Sequence, residues 1–168
     1  MVKYMFDKEK GEDMSEKMEP ILIEKAVGFF LENGMMGGIV QGHDVIKDCR
    51  VGSNLRVDFV AGDTCIETKV FTMKGRCTGM GMKSVLHSLA LNKGNLKALQ
   101  ERYGRVILLA VCQEDMCRQM DVPSLYKGLR EIIGEGIGHG IEIWISEIRT
   151  EPDGITLLSC KNAVAIND

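Results

Sequence analysis

An uninterrupted apolar run from Val106 to Cys112 constrains the fold of this chain more than any other feature. Consecutive apolar residues without alternation are expected of a strand covered on both faces, which occurs mainly in sheets with helices on either side. Helical patterns flank the run: one contains Leu96 and Leu99, and another begins at Pro123. The sequence therefore predicts an α/β fold, with a central mixed sheet flanked by helices.

The length of 168 residues, with 45% hydrophobic and 27% charged residues, indicates one globular core. Residues 1–18 are dominated by Lys, Glu, Asp and Met and show no helical apolar face, so we predict a flexible N-terminal tail there. A helix is predicted from Pro20, with Gly34 just past its end. Residues 19–168 are predicted to form a single domain.

The charge and the cysteines limit the partners and the compartment. The formal net charge is −3, so no global basic field attracts a polyanion, and nucleic-acid binding would need a local basic patch. No apolar stretch approaches the roughly 20 residues that cross a bilayer, and we see no secretory leader. Six scattered cysteines suggest reduced thiols. We expect a cytoplasmic protein without a membrane partner.

A tight hairpin is predicted where Gly62 and Asp63 separate two strand-like runs, 55–60 and 65–71. If these two residues form the turn, the register places Asp58 opposite Glu67 on one face of the hairpin. The same register places Arg56 opposite Lys69. Directly opposed like charges are destabilising, so the two carboxylates require compensation.

Two kinds of compensation are open. Diagonal contacts of Arg56 with Glu67 and of Asp58 with Lys69 would make an exposed charged face of little energetic weight. Alternatively, the two carboxylates bind a divalent cation, Mg²⁺ or Mn²⁺, which prefers hard oxygen ligands. Lys69 would then reach the same volume and act on a nucleophilic water or a phosphate.

An Asp on one strand of a hairpin and Glu-x-Lys on the next resembles the active site of the PD-(D/E)xK nuclease superfamily. The neighbouring segments are similar, in the same order, to the sugar fermentation stimulation protein (SfsA) family, and the likeness covers roughly residues 20–160. The segments that carry it are PILIEKA (20–26), ENG (32–34), GSNLRVDF (52–59), IETK (66–69), LAVCQ (109–113), DVPSL (121–125) and GIEI (140–143).

This resemblance implies a restriction-endonuclease-like core and a metal-dependent nuclease, with DNA as the expected substrate. It assigns Asp58 and Glu67 as metal ligands and Lys69 as the catalytic lysine. The chain departs from the family pattern in 86–94, LHSLALNKG, where the family has Phe-Pro-Asp-Ala followed by Thr-x-Arg-Gly. We also expect it to lack the family's N-terminal OB-like module, since fewer than twenty residues precede the first helix.

Further candidate residues surround the hairpin. Glu24, on the first helix, is a third candidate metal ligand, with a solvated helix residue as the alternative. Gln113 follows the apolar run and could orient a water or a phosphate, or only cap the strand. Basic residues near the hairpin and the following loop predict a phosphate-binding track, with a solvated loop as the alternative: Arg50, Arg56, Lys74, Arg76, Lys83 and Lys93.

Three function classes follow from these observations. The leading hypothesis is a Mg²⁺-dependent nuclease that hydrolyses phosphodiesters. The second is a non-catalytic DNA-binding or regulatory protein of the sugar fermentation stimulation type, which keeps the fold and uses the basic loop. The third is a structural or protein-interaction domain with a merely charged hairpin. A homodimer is compatible with all three.

Overall fold

A computed structural model describes residues 2–6, 19–40, 44–51, 55–71, 93–114, 127, 131 and 141–163. These residues contain one mixed sheet, with strand order β1-β7-β6-β5-β4-β3-β2, and two long helices. The elements are β1 (Lys3–Met5), α1 (Glu19–Glu32), β2 (Ile46–Val51), β3 (Leu55–Ala61), β4 (Thr64–Phe71), α2 (Lys93–Arg102), β5 (Arg105–Gln113), β6 (Ile141–Glu151) and β7 (Gly154–Asn162). The predicted α/β class with a mixed sheet is confirmed.

Strand β5 is the apolar run of the sequence and lies at the centre of the sheet. It pairs in parallel with both β4 and β6, whereas the other neighbours are antiparallel. One face of β5 contributes Ile107 and Leu109 to the core under α1. Val106, on the other face, packs with Leu96 and Leu99 of α2. The lack of polar alternation in β5 therefore reflects burial on both sides.

Helix α1 ends as its sequence predicts. Gly34 has a φ of 67°, the left-handed conformation that favours glycine. The N–H of Gly34 donates to the carbonyl of Leu31 at 3.1 Å, and the N–H of Met35 donates to that of Phe30 at 2.9 Å. These two bonds form a Schellman motif, which satisfies carbonyls at the helix end and turns the chain back toward the sheet.

The segment after α1 is held by Arg105 at the start of β5. Its guanidinium donates to the carbonyls of Gly38 and Ile39, both at 3.2 Å. It also makes a bidentate ion pair with Glu142 at the start of β6, at 2.6 and 2.9 Å. One arginine therefore ties the loop after α1 to the two central parallel strands.

The structure corrects the prediction for the N-terminal segment. Residues Lys3–Met5, inside the predicted tail, form β1, which pairs antiparallel with β7. Such a short edge strand has too few residues to show a periodic pattern, so only its partner reveals it. The rest of the predicted tail and most of the helix predicted from Pro123 lie outside the described residues, although Lys127 and Glu131 are helical.

Strands β6 and β7 form a hairpin around Pro152 and Asp153, and the four cysteines in the described part of the chain are free thiols. None of the helices that the structure describes is both long and apolar enough to cross a membrane.

Candidate functional site

The hairpin of β3 and β4 has the predicted turn and the predicted register. Gly62 has a φ of 59°, whereas Asp63 has no positive φ, as a type II′ turn requires. The ladder then runs through Ala61–Thr64, Val60–Cys65 and Phe59–Ile66. The sequence therefore placed the two strands correctly against each other at the turn end.

The ladder between β3 and β4 ends at Phe59–Ile66, one position before Asp58 and Glu67. Beyond this point β3 stays paired with β2, as far as Leu55 opposite Val51. Strand β4 stays paired with β5, as far as Phe71 opposite Cys112. The two strands of the hairpin thus follow different neighbours, and the two carboxylates lie where they part.

Asp58 bonds to the strand from which its own strand has separated. Its Oδ2 accepts a hydrogen bond from the backbone N–H of Thr68 at 2.7 Å and another from the Thr68 hydroxyl at 2.8 Å. In a continued ladder of this register Val57 would lie opposite Thr68 and take that N–H. The Asp58 carboxylate therefore takes the place of the Val57 carbonyl as the acceptor of the Thr68 N–H.

Glu67 meets Asp58 in the same place. The pKa of Glu67 is raised to about 8, first by burial and then by the charge of Asp58 and a hydrogen bond between the two carboxyl groups. A hydrogen bond from the backbone N–H of Asp58 opposes this rise only in part. The contact with a second carboxyl group therefore opposes the ionisation of Glu67.

Glu24 adds a third acidic group from above the sheet. Residue Gly28, one turn further along α1, packs so closely on β3 that a Cβ there would lie 3.1 Å from the Phe59 ring. This approach brings Glu24 within electrostatic range of Asp58. The pKa of Glu24 is raised, first by burial and then by the Asp58 charge, although the residue keeps an exposed side.

The acidic residues do not form a closed metal cage. Within the described ranges, no group of three or more His, Cys, Asp or Glu side chains is arranged to hold a metal ion. Two of the predicted ligands, Asp58 and Glu67, are in direct contact, and Glu24 acts on them through its charge. The geometry therefore offers a pair of carboxylates with a third acidic group nearby.

The local charge compensation considered from the sequence is not formed. Arg56 instead pairs with the exposed Asp48 on β2, with Nη1 to Oδ2 at 3.2 Å, and in the ladder it lies opposite Arg50 and not opposite Lys69 as predicted. Lys69 is exposed and makes no ion pair with any residue that the structure describes. The like-charge contact of Asp58 and Glu67 thus has no basic partner within this part of the protein.

The other predicted site residues are less informative. Gln113 is the half-buried last residue of β5, in register with Ile148, and forms no hydrogen bond with the two carboxylates. Lys93 is the first residue of α2. Lys74, Arg76 and Lys83 lie outside the described residues, so the phosphate track stays a prediction.

Sequence reasoning missed Thr68, because alternation along β4 places this residue on the face opposite to Glu67 and Lys69. The sequence signal that could have found it was its position between Glu67 and Lys69. The backbone of this residue borders the point where β3 and β4 separate. A hydroxyl in that position can donate to a neighbouring carboxylate. Recognising the contact required knowing where the ladder ends.

Comparison with known proteins gives a weak structural similarity. No protein-family model matches the chain, and no curated protein sequence matches it. Among solved structures, SfsA from Pyrococcus furiosus in complex with Ca²⁺ is similar at 16% sequence identity with a TM-score of 0.48. The match covers 84% of this chain and 63% of that chain, so this chain spans less than two thirds of that protein's length.

Proposed function

We propose that this protein is a metal-dependent nuclease, in which Asp58 and Glu67 bind Mg²⁺ or Mn²⁺ and Lys69 is the catalytic lysine. The observation that supports it is the contact of the two carboxyl groups at the end of the β3–β4 ladder, with the pKa of Glu67 raised to about 8. A carboxyl group whose pKa is strongly raised by burial and by a neighbouring charge is typical of functional sites.

The donor set fits a hard divalent cation. Mg²⁺ takes oxygen ligands, commonly one or two carboxylates, and keeps several waters. Asp58 and Glu67 provide two such groups. A bound cation would supply charge neutralisation and an activated water. Glu24 stands close enough to add negative charge to the site without being required as a direct ligand.

Lys69 has the position and the freedom that the proposal needs. It lies two residues after Glu67 on the same strand, so both side chains point to the same side of β4. It is exposed and pairs with no acidic group in the described part of the chain. Its ammonium is therefore available to stabilise a phosphate or to orient the attacking water.

Cleavage assays on single-stranded and duplex DNA and RNA in Mn²⁺ test this function. Lys69→Ala should keep both carboxylates and lower cleavage by at least about 100-fold, the size of effect seen when one charge-stabilising group is removed. Lys161→Ala is the matched control, because Lys161 is also an exposed strand lysine but lies on β7. It should cut like the wild type.

The same assay separates the nuclease from a non-catalytic nucleic-acid-binding protein. If the wild type and Lys69→Ala bind DNA or RNA alike and neither cuts any substrate in Mn²⁺, the catalytic assignment of Lys69 is wrong. The binding and regulatory interpretation would then replace the nuclease.

A further inference from the structure

The double hydrogen bond from Thr68 to Asp58 goes beyond what a metal-binding pair requires. Both donors of one residue, the backbone N–H and the hydroxyl, bind the same oxygen, Oδ2, at 2.7 and 2.8 Å. The other oxygen, Oδ1, receives nothing from Thr68. The two oxygens of Asp58 are therefore not equivalent in the folded protein.

We propose that Thr68 is a positioning residue for the metal site: it holds Oδ2 of Asp58 so that Oδ1 is presented to the cation beside Glu67. The inference rests on the proposed function and assigns a role to the residue between Glu67 and Lys69. Partners of this kind orient a metal ligand and commonly change metal affinity 10–100-fold when they are removed.

The two donors have different tasks. The terminal torsion of an aspartate is broad, so one hydrogen bond leaves the carboxylate free to rotate. The backbone N–H is available only because the ladder ends at Phe59–Ile66. The hydroxyl adds a second direction from a β-branched side chain, whose own torsion is restricted. Hydrogen bonds to a charged carboxylate are also stronger than those between neutral groups.

A purely structural role is the competing explanation. In this explanation, the Thr68 hydroxyl holds β3 to β4 where the ladder ends and has no effect on the binding of a cation. Such a fastener would contribute to the stability of the metal-free protein. A positioning residue would instead change metal affinity, and the hydroxyl alone would account for the change.

Isothermal titration calorimetry of the metal-free protein with Mn²⁺ distinguishes the two roles. Thr68→Val keeps the backbone donor and the shape of the side chain but removes the hydroxyl, and it should weaken Mn²⁺ binding about 10–100-fold. Thr68→Ser restores the hydroxyl and should bind close to the wild type. Thr150→Val is the matched control, because the Thr150 hydroxyl on β6 is buried and has no hydrogen-bond partner among the described residues. It should leave Mn²⁺ affinity unchanged.

Three results would overturn the inference. Equal Mn²⁺ affinity of the wild type and Thr68→Val, with a loss of stability in EDTA, would leave only the structural role. Equal weakening of the Val and Ser variants would mean that the hydroxyl is not responsible. Absence of Mn²⁺ binding by the wild type would remove the proposed metal site itself, and this inference with it. If Thr68→Val does not fold, Thr68→Ala replaces it in the same comparison.

Discussion

Two glutamates of this protein, Glu142 and Glu67, lie in opposite electrostatic surroundings. Glu142 accepts hydrogen bonds from Arg105, from the Trp144 indole at 3.1 Å and from the Asn162 amide at 3.4 Å. The ion pair with Arg105 lowers its pKa. Glu67 instead contacts a second carboxyl group, and burial together with the Asp58 charge raises its pKa to about 8.

The difference separates a carboxylate used for folding from one that is available for chemistry. The ionised form of Glu142 is stabilised within the protein itself and ties the loop after α1 to the sheet. The ionised form of Glu67 has no arginine partner and only the backbone N–H of Asp58 to oppose the rise of its pKa, so it would gain most from an added cation. Local conflicts of this kind are expected at functional sites, where a chain gives up stability for activity.

The largest expected effect is the gain in stability when a divalent cation is added beside Glu67. Mn²⁺ at about 100 times its Kd should raise the free energy of unfolding by about 2.7 kcal/mol through mass action. Asp58→Asn should abolish this gain, whereas Glu142→Gln should retain it, because Glu142 is not at the site. Thermal unfolding in EDTA and in Mn²⁺ measures both. Identical curves for the wild type in the two conditions would contradict the metal site.

A smaller effect is expected when the satisfied carboxylate is removed. Glu142→Ala removes the acceptor of four hydrogen bonds from the side chains of Arg105, Trp144 and Asn162. It should lower the free energy of unfolding by about 2 kcal/mol, a moderate value because the Arg105 side chain keeps 38% exposure. Urea denaturation in EDTA measures the loss.

The matched control for Glu142→Ala is Glu114→Ala. Glu114 also makes a bidentate pair with an arginine, Arg149, at 2.8 and 2.9 Å, but on the surface. Exposed pairs contribute little, so this variant should unfold close to the wild type. If both variants lose the same stability, the distinction between the two regions is not one of burial and hydrogen bonding.

The smallest effect concerns pH. The pKa of Glu67 is raised in the folded protein from 4.5 to about 8, so between these values the native state binds more protons than the unfolded state. The stability of the metal-free protein should therefore fall as pH rises through this window. Glu67→Gln, which cannot ionise, should gain on the order of 1 kcal/mol relative to the wild type at the upper end.

Chemical denaturation in EDTA at several pH values measures this dependence. Glu101→Gln, at an exposed position on α2, is the control and should keep the slope of the wild type. An unchanged slope in Glu67→Gln would show that another group controls the pH dependence of stability.

Local sequence signals determined much of the framework. The turn at Gly62 and Asp63 set the register of β3 and β4 as far as Phe59–Ile66, because a two-residue loop allows few strand pairings. Gly34 ended α1, and the apolar run predicted β5. These features depend on neighbouring residues along the chain, so their physical causes can be read from short stretches of sequence.

Long-range pairing decided the rest. The sequence also predicted that Asp58 and Glu67 would meet, but as an opposed pair within a continuous ladder. In the folded protein β3 follows β2 and β4 follows β5, so the ladder ends at this pair and Thr68 binds Asp58. No local pattern contains this outcome, because it depends on competition between strands that are distant in the chain. Because of the same competition, Arg56 pairs with Asp48 on β2 and does not pair with Asp58 or Glu67.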